Sequence, residues 1–297
     1  MSAAGSPGAD VKRGLPLDRH LVQRLGFGFI ALLAAVVVAV IVSVIVYIVA
    51  RGAPAISWEF LSGFPRDGMR AGGILPAIAG TFYLTIGTAI FSVPLGVAAA
   101  IYLAEYASDT ALTRTIRIAI INLSGIPSVV YGLFGLGLFV LFLKFGTSIL
   151  SASLTLSIMT LPVIISTAEE ALRAVPQSFR TVSISLGATR WQTIRRIVLK
   201  EALPGILTGV ILGLERAAGE TAPILFTGAA FFLPRLPNSP LDATMALPYH
   251  LFVISTQVPD MPVQVQYGTA LVLLAFVLAM NLIATVIRSR ARARRQW

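Results

Sequence analysis

Apolar positions run almost unbroken for twenty residues or more at several places in the chain, and the polar positions gather between those runs. Six runs are long enough to span a bilayer: residues 27–50, 78–103, 116–143, 149–167, 204–226 and 267–287. Roughly 20 apolar residues cross the hydrocarbon core. Pro94, Pro127 and Pro162 fall inside three of the runs, which membrane helices tolerate when neighbours re-satisfy the freed backbone groups. The pattern predicts an all-α, polytopic membrane protein. Its bundle occupies residues 27–290, between a polar, basic tail over 1–26 and a short basic tail over 291–297. The first run is too long for the apolar stretch of a signal peptide, and no convincing small-residue cleavage site follows it, so it is expected to be retained.

The longest polar connection lies between the fourth and fifth runs, over residues 168–203. Leu172, Val175, Phe179, Val182, Leu186, Trp191, Ile194 and Ile197 recur at three- or four-residue spacing, the periodicity of an amphipathic helix. Gly187 interrupts the pattern, predicting two short helices and a turn. A basic amphipathic pair of this kind suits an anionic lipid surface or a partner's groove.

Lys and Arg set the orientation, because cytoplasmic loops carry the excess. With the amino terminus inside, 17 of the 23 fall on the cytoplasmic side and five outside, with Arg216 inside the fifth run. Both termini are therefore expected to be cytoplasmic. The net charge of +10 is explained by this distribution, and no nucleic-acid partner is expected. Apolar residues make up 56% of the chain and charged residues 12%, against about 45–50% and 25% in soluble domains. Cysteine is absent, which excludes disulfide, thiolate and Cys–metal chemistry. His20 and His250 are too far apart in sequence to suggest a metal site.

The charged stretch Glu215-Arg216-Ala217-Ala218-Gly219-Glu220-Thr221 interrupts the fifth run. An ionisable group at a bilayer centre costs roughly 2.5–3.5 kcal/mol on insertion scales and marks a functional pathway. At about 100° per residue, Gly205, Gly213, Arg216 and Glu220 all lie within about 40° of Gly209. Arg216 and Glu220 thus share a face with a small-residue stripe, at the spacing of an i,i+4 ion pair, and Glu215 falls off that face. A guanidinium fork matches a tetrahedral oxyanion and stays charged at physiological pH. Glu220 competes for the same guanidinium, which keeps the anion from being held too tightly. The plainer reading of the pair is helix packing.

The connection over 168–203 resembles the cytoplasmic loop of ABC importer permeases. Gly187, Ile197 and Leu199 stand at that motif's spacing. Thr181-Val182-Ser183 takes the place of its Glu-Ala-Ala, and Lys200 the place of its proline. Gly80-Thr81-Phe82-Tyr83-Leu84-Thr85, Tyr102-Leu103-Ala104-Glu105-Tyr106 and Ile126-Pro127-Ser128-Val129-Val130-Tyr131-Gly132 are similar to core segments of the same permeases. Gly219-Glu220-Thr221-Ala222-Pro223 resembles the PstA-type subunit of phosphate importers. The resemblance covers roughly 27–290.

The resemblance implies a type I ABC-importer permease architecture in a bacterial inner membrane. Arg216, Glu220, Glu215 and Thr221 would line the substrate pathway. Thr181, Ser183, Leu186, Gly187, Ile197 and Leu199 would couple to the ATPase. The implied partners are a PstC-type permease, a PstB-type ATPase dimer, an extracytoplasmic phosphate-binding protein, phosphate and membrane lipid. No Gly-Lys dipeptide occurs in the chain, so a Walker A loop is not expected; ATP-Mg would bind the partner ATPase, with no cofactor in this chain. The competing readings are a permease for sulfate or molybdate, and a membrane enzyme or scaffold that uses the buried Glu–Arg cluster.

The charge bias yields a topology test. A reporter active only outside the cytoplasm should work when fused after Arg66 or Asp242 and stay silent after Arg117, Arg195 or Arg294. Activity after Arg195 would put the amphipathic connection on the wrong side.

Overall fold

The computed structural model describes residues 19–293, with side chains described over 23–290. The two tails read from sequence lie largely outside those residues, as does the side chain of His20. The chain divides into two units, Met1–Ala50 and Arg51–Trp297. The described part of the first belongs to one helix, α1 (Arg19–Gly52). Its described side chains are almost all exposed and apolar, as a helix bathed in lipid requires.

The second unit opens with the short helix α2 (Trp58–Ser62), started by Ser57, whose Oγ accepts from the Phe60 amide at 3.1 Å. A two-stranded antiparallel hairpin follows, β1 (Pro65–Arg66) with β2 (Ala71–Gly72). The bundle core is three long helices, α3 (Leu75–Ile101), α6 (Ile149–Arg173) and α9 (Leu199–Gly219). Hydroxyls hold α3 and α6 together at depth: Ser157 Oγ donates to Thr88 O at 3.1 Å. The predicted small-residue stripe of α9 packs on α6. A Cβ at Gly209 would sit 2.7 Å from Thr167 Cβ, and one at Gly213 would sit 3.0 Å from Ile164 Cγ1. Small residues let membrane helices approach this closely. The last helix, α12 (Val263–Ala293), is exposed and apolar along much of its described length.

Two of the six expected runs are not single helices. Residues 116–143 contain α4 (Ala111–Ser124) and α5 (Ser128–Gly135), the latter continued by a π-helical stretch, Leu136–Phe142. The two meet at a 102° bend. Pro127 does not sit inside a helix here; with Gly125 it stops one and starts the next. The Tyr131 hydroxyl donates to Leu123 O at 2.7 Å across the bend. Arg117 of α4 reaches Glu169 near one end of α6, while the chain after Phe142 leads to Ser148 at its other end. The bent pair therefore runs from one end of α6 to the other, as a span must. The run over 204–226 stops at Gly219, and a separate helix, α10 (Ala222–Thr227), follows. Among the described residues, five helices are long and apolar enough to cross a membrane, and six spans result when the bent pair counts as one. The helix α11 (Leu247–Thr256) is anchored where Thr81 Oγ1 accepts from the Leu247 amide at 2.8 Å.

The amphipathic connection holds two helices, α7 (Gln177–Ser185) and α8 (Arg190–Thr193). The second is not independent. A π-helical stretch, Ile194–Val198, joins α8 to α9, giving one continuous helix over Arg190–Gly219. The turn between α7 and α8 is a glycine-stopped helix end. Gly187 has φ +85°, its amide donates to Ile184 O at 2.9 Å, and the Ala188 amide donates to Ser183 O at 3.2 Å; this is a Schellman motif. Thr189 then caps α8 reciprocally with Gln192. Placing a Cβ on the left-handed residue costs roughly 1–2 kcal/mol. Gly187→Ala should speed hydrogen exchange over residues 183–193 about 5- to 30-fold, and Gly187→Pro further, since it also deletes the amide donor. Unchanged exchange in both variants would refute the turn.

Candidate functional site

Arg216 lies in the last turn of α9, and Glu220 is the residue that ends it. Glu220 has an extended backbone, φ −75° and ψ 138°, so it does not occupy the helical position that the spacing implies. The pair forms nonetheless: Arg216 Nε stands 3.5 Å from Glu220 Oε1, with side chains 34% and 17% exposed. This is an ion pair without a hydrogen bond among the described residues. The Arg216 Nη edge carries no hydrogen bond there either. Thr221 begins α10 without a side-chain cap. Glu215 takes no part in the pair; its Oε1 is buried and has no hydrogen-bond partner among the described residues.

The break at Glu220 and Thr221 adjoins the bend between α4 and α5. A Cβ on Gly132 of α5 would sit 3.0 Å from Pro223 Cα and 3.1 Å from Ala222 O. Two interrupted helices therefore meet where the loosely held arginine sits. Interrupted helices beside charged groups are a common construction for solute sites in membranes. Val129, Val130, Leu133 and Phe134 of α5 and Leu225 of α10 are exposed beside it.

The coupling residues read from sequence fall into two sets. Thr181 is exposed, its hydroxyl donating back to Gln177 O at 3.2 Å. Leu186 is 84% exposed at the tip of the turn. Ile197, half-buried, lines a groove of about 480 Å³ with Phe179, Val182 and Leu186. Ser183 faces inward instead: its Oγ is 2.8 Å from Thr193 Oγ1 in a buried hydroxyl pair that ties α7 to α8. Leu199 packs against the buried cluster of Leu172, Val175, Val198 and Ala202.

Sequence reasoning missed a charged network at the same end of the bundle. Glu105, near the end of α3's continuation Tyr102–Tyr106, pairs with Arg180 of α7, Nη2 to Oε1 at 2.5 Å. Glu169 of α6 takes Arg117 at 2.8 Å and Arg173 at 2.9 Å. The only sequence signal was the placement of Glu105 and Glu169 just past the ends of apolar runs. Their arginines were visible as topological charge but not as partners.

Known proteins point the same way. Residues 92–294 match the family described as "Binding-protein-dependent transport system inner membrane component". The chain is 33% identical over 282 residues to a probable ABC transporter permease protein, YqgI, of Bacillus subtilis, covering 90% of this chain and 95% of that protein. It is 34% identical over 290 residues to the phosphate transport system permease protein PstA 2 of Mycobacterium tuberculosis, covering 96% and 93%. A bacterial alginate ABC transporter, solved with a pentasaccharide-bound periplasmic protein, shares the fold at TM-score 0.66 and 14% identity, over 91% of this chain and 96% of that one. A chain of the MetNI methionine ABC transporter, solved in an inward-facing conformation, matches at TM-score 0.56 and 18% identity, over 74% and 94%. With a bundle of this fold and a match across its whole core, the chain belongs to the inner membrane components of binding-protein-dependent transport systems, the permeases of ABC importers.

Proposed function

We propose that this chain is one of two permease subunits of an ATP-driven inorganic phosphate importer, of the PstA type. The observation that carries the reading is the Arg216–Glu220 pair. It is an intramembrane guanidinium held by one ion pair at 3.5 Å, at a helix break, with its Nη edge free of hydrogen bonds among the described residues. Arg117, Arg173 and Arg180 are committed, each donating to a carboxylate and to a backbone carbonyl; Arg114 and Arg235 are held as loosely as Arg216, at 4.0 and 3.8 Å from their carboxylates, but both are exposed. An arginine with an open fork can take a phosphate through two parallel hydrogen bonds. Glu220 then recaptures the guanidinium as the anion leaves, and a phosphate that retains a proton can donate a hydrogen bond to a carboxylate. Relatives that carry the phosphate transport name support the choice of solute.

The remaining parts follow from this reading. A PstC-type chain covers the exposed apolar residues of α5 and α10 and completes the pathway. A PstB-type ATPase dimer binds ATP-Mg and docks on the groove beside Leu186, where Thr181 stands in place of a carboxylate. An extracytoplasmic phosphate-binding protein delivers the solute. This chain binds no cofactor and has no ATPase site of its own.

Charge-assisted hydrogen bonds contribute roughly 1.5–3 kcal/mol. In reconstituted vesicles, Arg216→Gln should lower phosphate uptake at least about tenfold with normal recovery of the complex. Glu220→Gln should also impair uptake, and Glu215→Gln should be milder. Uptake by the unmodified complex should persist under excess sulfate. Normal transport by Arg216→Gln removes the pathway assignment, and loss of the complex makes the pair a packing element.

A further inference from the structure

The end of α3 is held by arginines from four other helices. A helix end leaves its last carbonyls without partners inside the helix and concentrates negative potential there. Arg117 of α4 donates to Leu103 O at 3.0 Å, and Arg173 of α6 donates to the same oxygen at 3.4 Å. Arg190 of α8 donates to Glu105 O and lies over the Tyr106 ring, 5.0 Å from its centroid. Arg180 of α7 grips the Glu105 carboxylate with a two-point fork, Nη2 to Oε1 at 2.5 Å and Nε to Oε2 at 3.3 Å. Its remaining donors reach Leu172 O at 2.9 Å and Val175 O at 2.7 Å, at the end of α6.

Attachment of α7 does not need this ion pair. Phe179 already packs against the apolar cluster of Leu172, Val175 and Val198, and the Ser183–Thr193 hydroxyl pair already closes α7 on α8. Buried ion pairs are weak stabilisers compared with well-packed apolar groups of the same volume. The Glu105 and Arg180 side chains are nonetheless only 6% and 13% exposed. What a two-point fork adds is direction: it fixes the orientation of α7 relative to α3, where apolar contact alone would let the helices slide. Arg180 also sits one residue before Thr181, on the element whose other side carries the groove.

We propose that Glu105 and Arg180 are the transmission pair of the importer, carrying displacements of α7 at the docking groove into α3 and, at the same point, into the end of α6. Both are positioning residues and neither touches the transported anion. The inference rests on the permease reading above. It adds two residues, and with them a specific mechanical route, to the coupling surface.

The test uses the whole complex in vesicles and compares phosphate transported per ATP hydrolysed. Glu105→Gln and Arg180→Gln should each lower that ratio at least fivefold, with ATP hydrolysis within about twofold of normal and complex recovery unchanged. The double variant should be no worse than either single, as expected for residues acting as one unit. A normal ratio in the single variants, losses that multiply in the double, or failure of either single variant to assemble overturns the proposal. A second measurement does not depend on the solute. The chain has no cysteine, so spin labels on Tyr102→Cys and Ser178→Cys report one distance between α3 and α7. That distance should hold steady between nucleotide-free and ATP-bound complexes and broaden when Glu105→Gln is added. No broadening overturns the pair as a latch. Absence of phosphate uptake by the unmodified complex, with the label result as expected, counts against the solute alone.

Discussion

A backbone that stops being helical inside or at the edge of a bilayer must find partners for its own carbonyls and amides, because hydrocarbon offers none. Three stops of this kind among the described residues are each satisfied differently. At the end of α3 the acceptors are taken by arginine side chains. At the bend between α4 and α5, the Tyr131 hydroxyl covers Leu123 O. At the end of α9, the Glu220 amide turns back to Ala217 O at 3.3 Å, which leaves its carboxylate near Arg216. Charged groups at these stops have a physical reason to be present at depth, because they stand where helical hydrogen bonds are missing.

The long helices between the stops do the opposite work. The α3, α6 and α9 core is joined by small residues, and the hydroxyls of Thr81, Thr85 and Thr88 are satisfied within their own helix. Such a core packs tightly and offers few alternative arrangements.

Much of this was legible in the sequence. Length and apolarity marked the spans, and periodicity broken at Gly187 marked the two-helix connection, including its turn. Hydropathy carries no information about direction, so the bend at Gly125-Ile126-Pro127 was hidden inside an apolar run. The helical wheel placed Glu220 on a helix that ends one residue earlier. Gly219 followed by Ala222-Pro223, a stop signal and then a start signal, was the available clue. The partners of Arg117, Arg180 and Arg190 lie 52 to 85 residues away in sequence, and no local pattern reaches that far.

The bend has one further consequence, for the contour of the chain. The pair α4 and α5 with its π-helical continuation contains segments of 14, 8 and 7 residues. Laid straight they would reach about 43 Å, but turning through 102° shortens the end-to-end reach to about 27 Å, close to the hydrocarbon thickness of about 30 Å. The surplus length is directed sideways as an elbow beside α10. A straight helix would seal that flank of the bundle with side chains alone. An elbow instead brings the main chain of α5 against that of α10, and main-chain polarity cannot be mutated away.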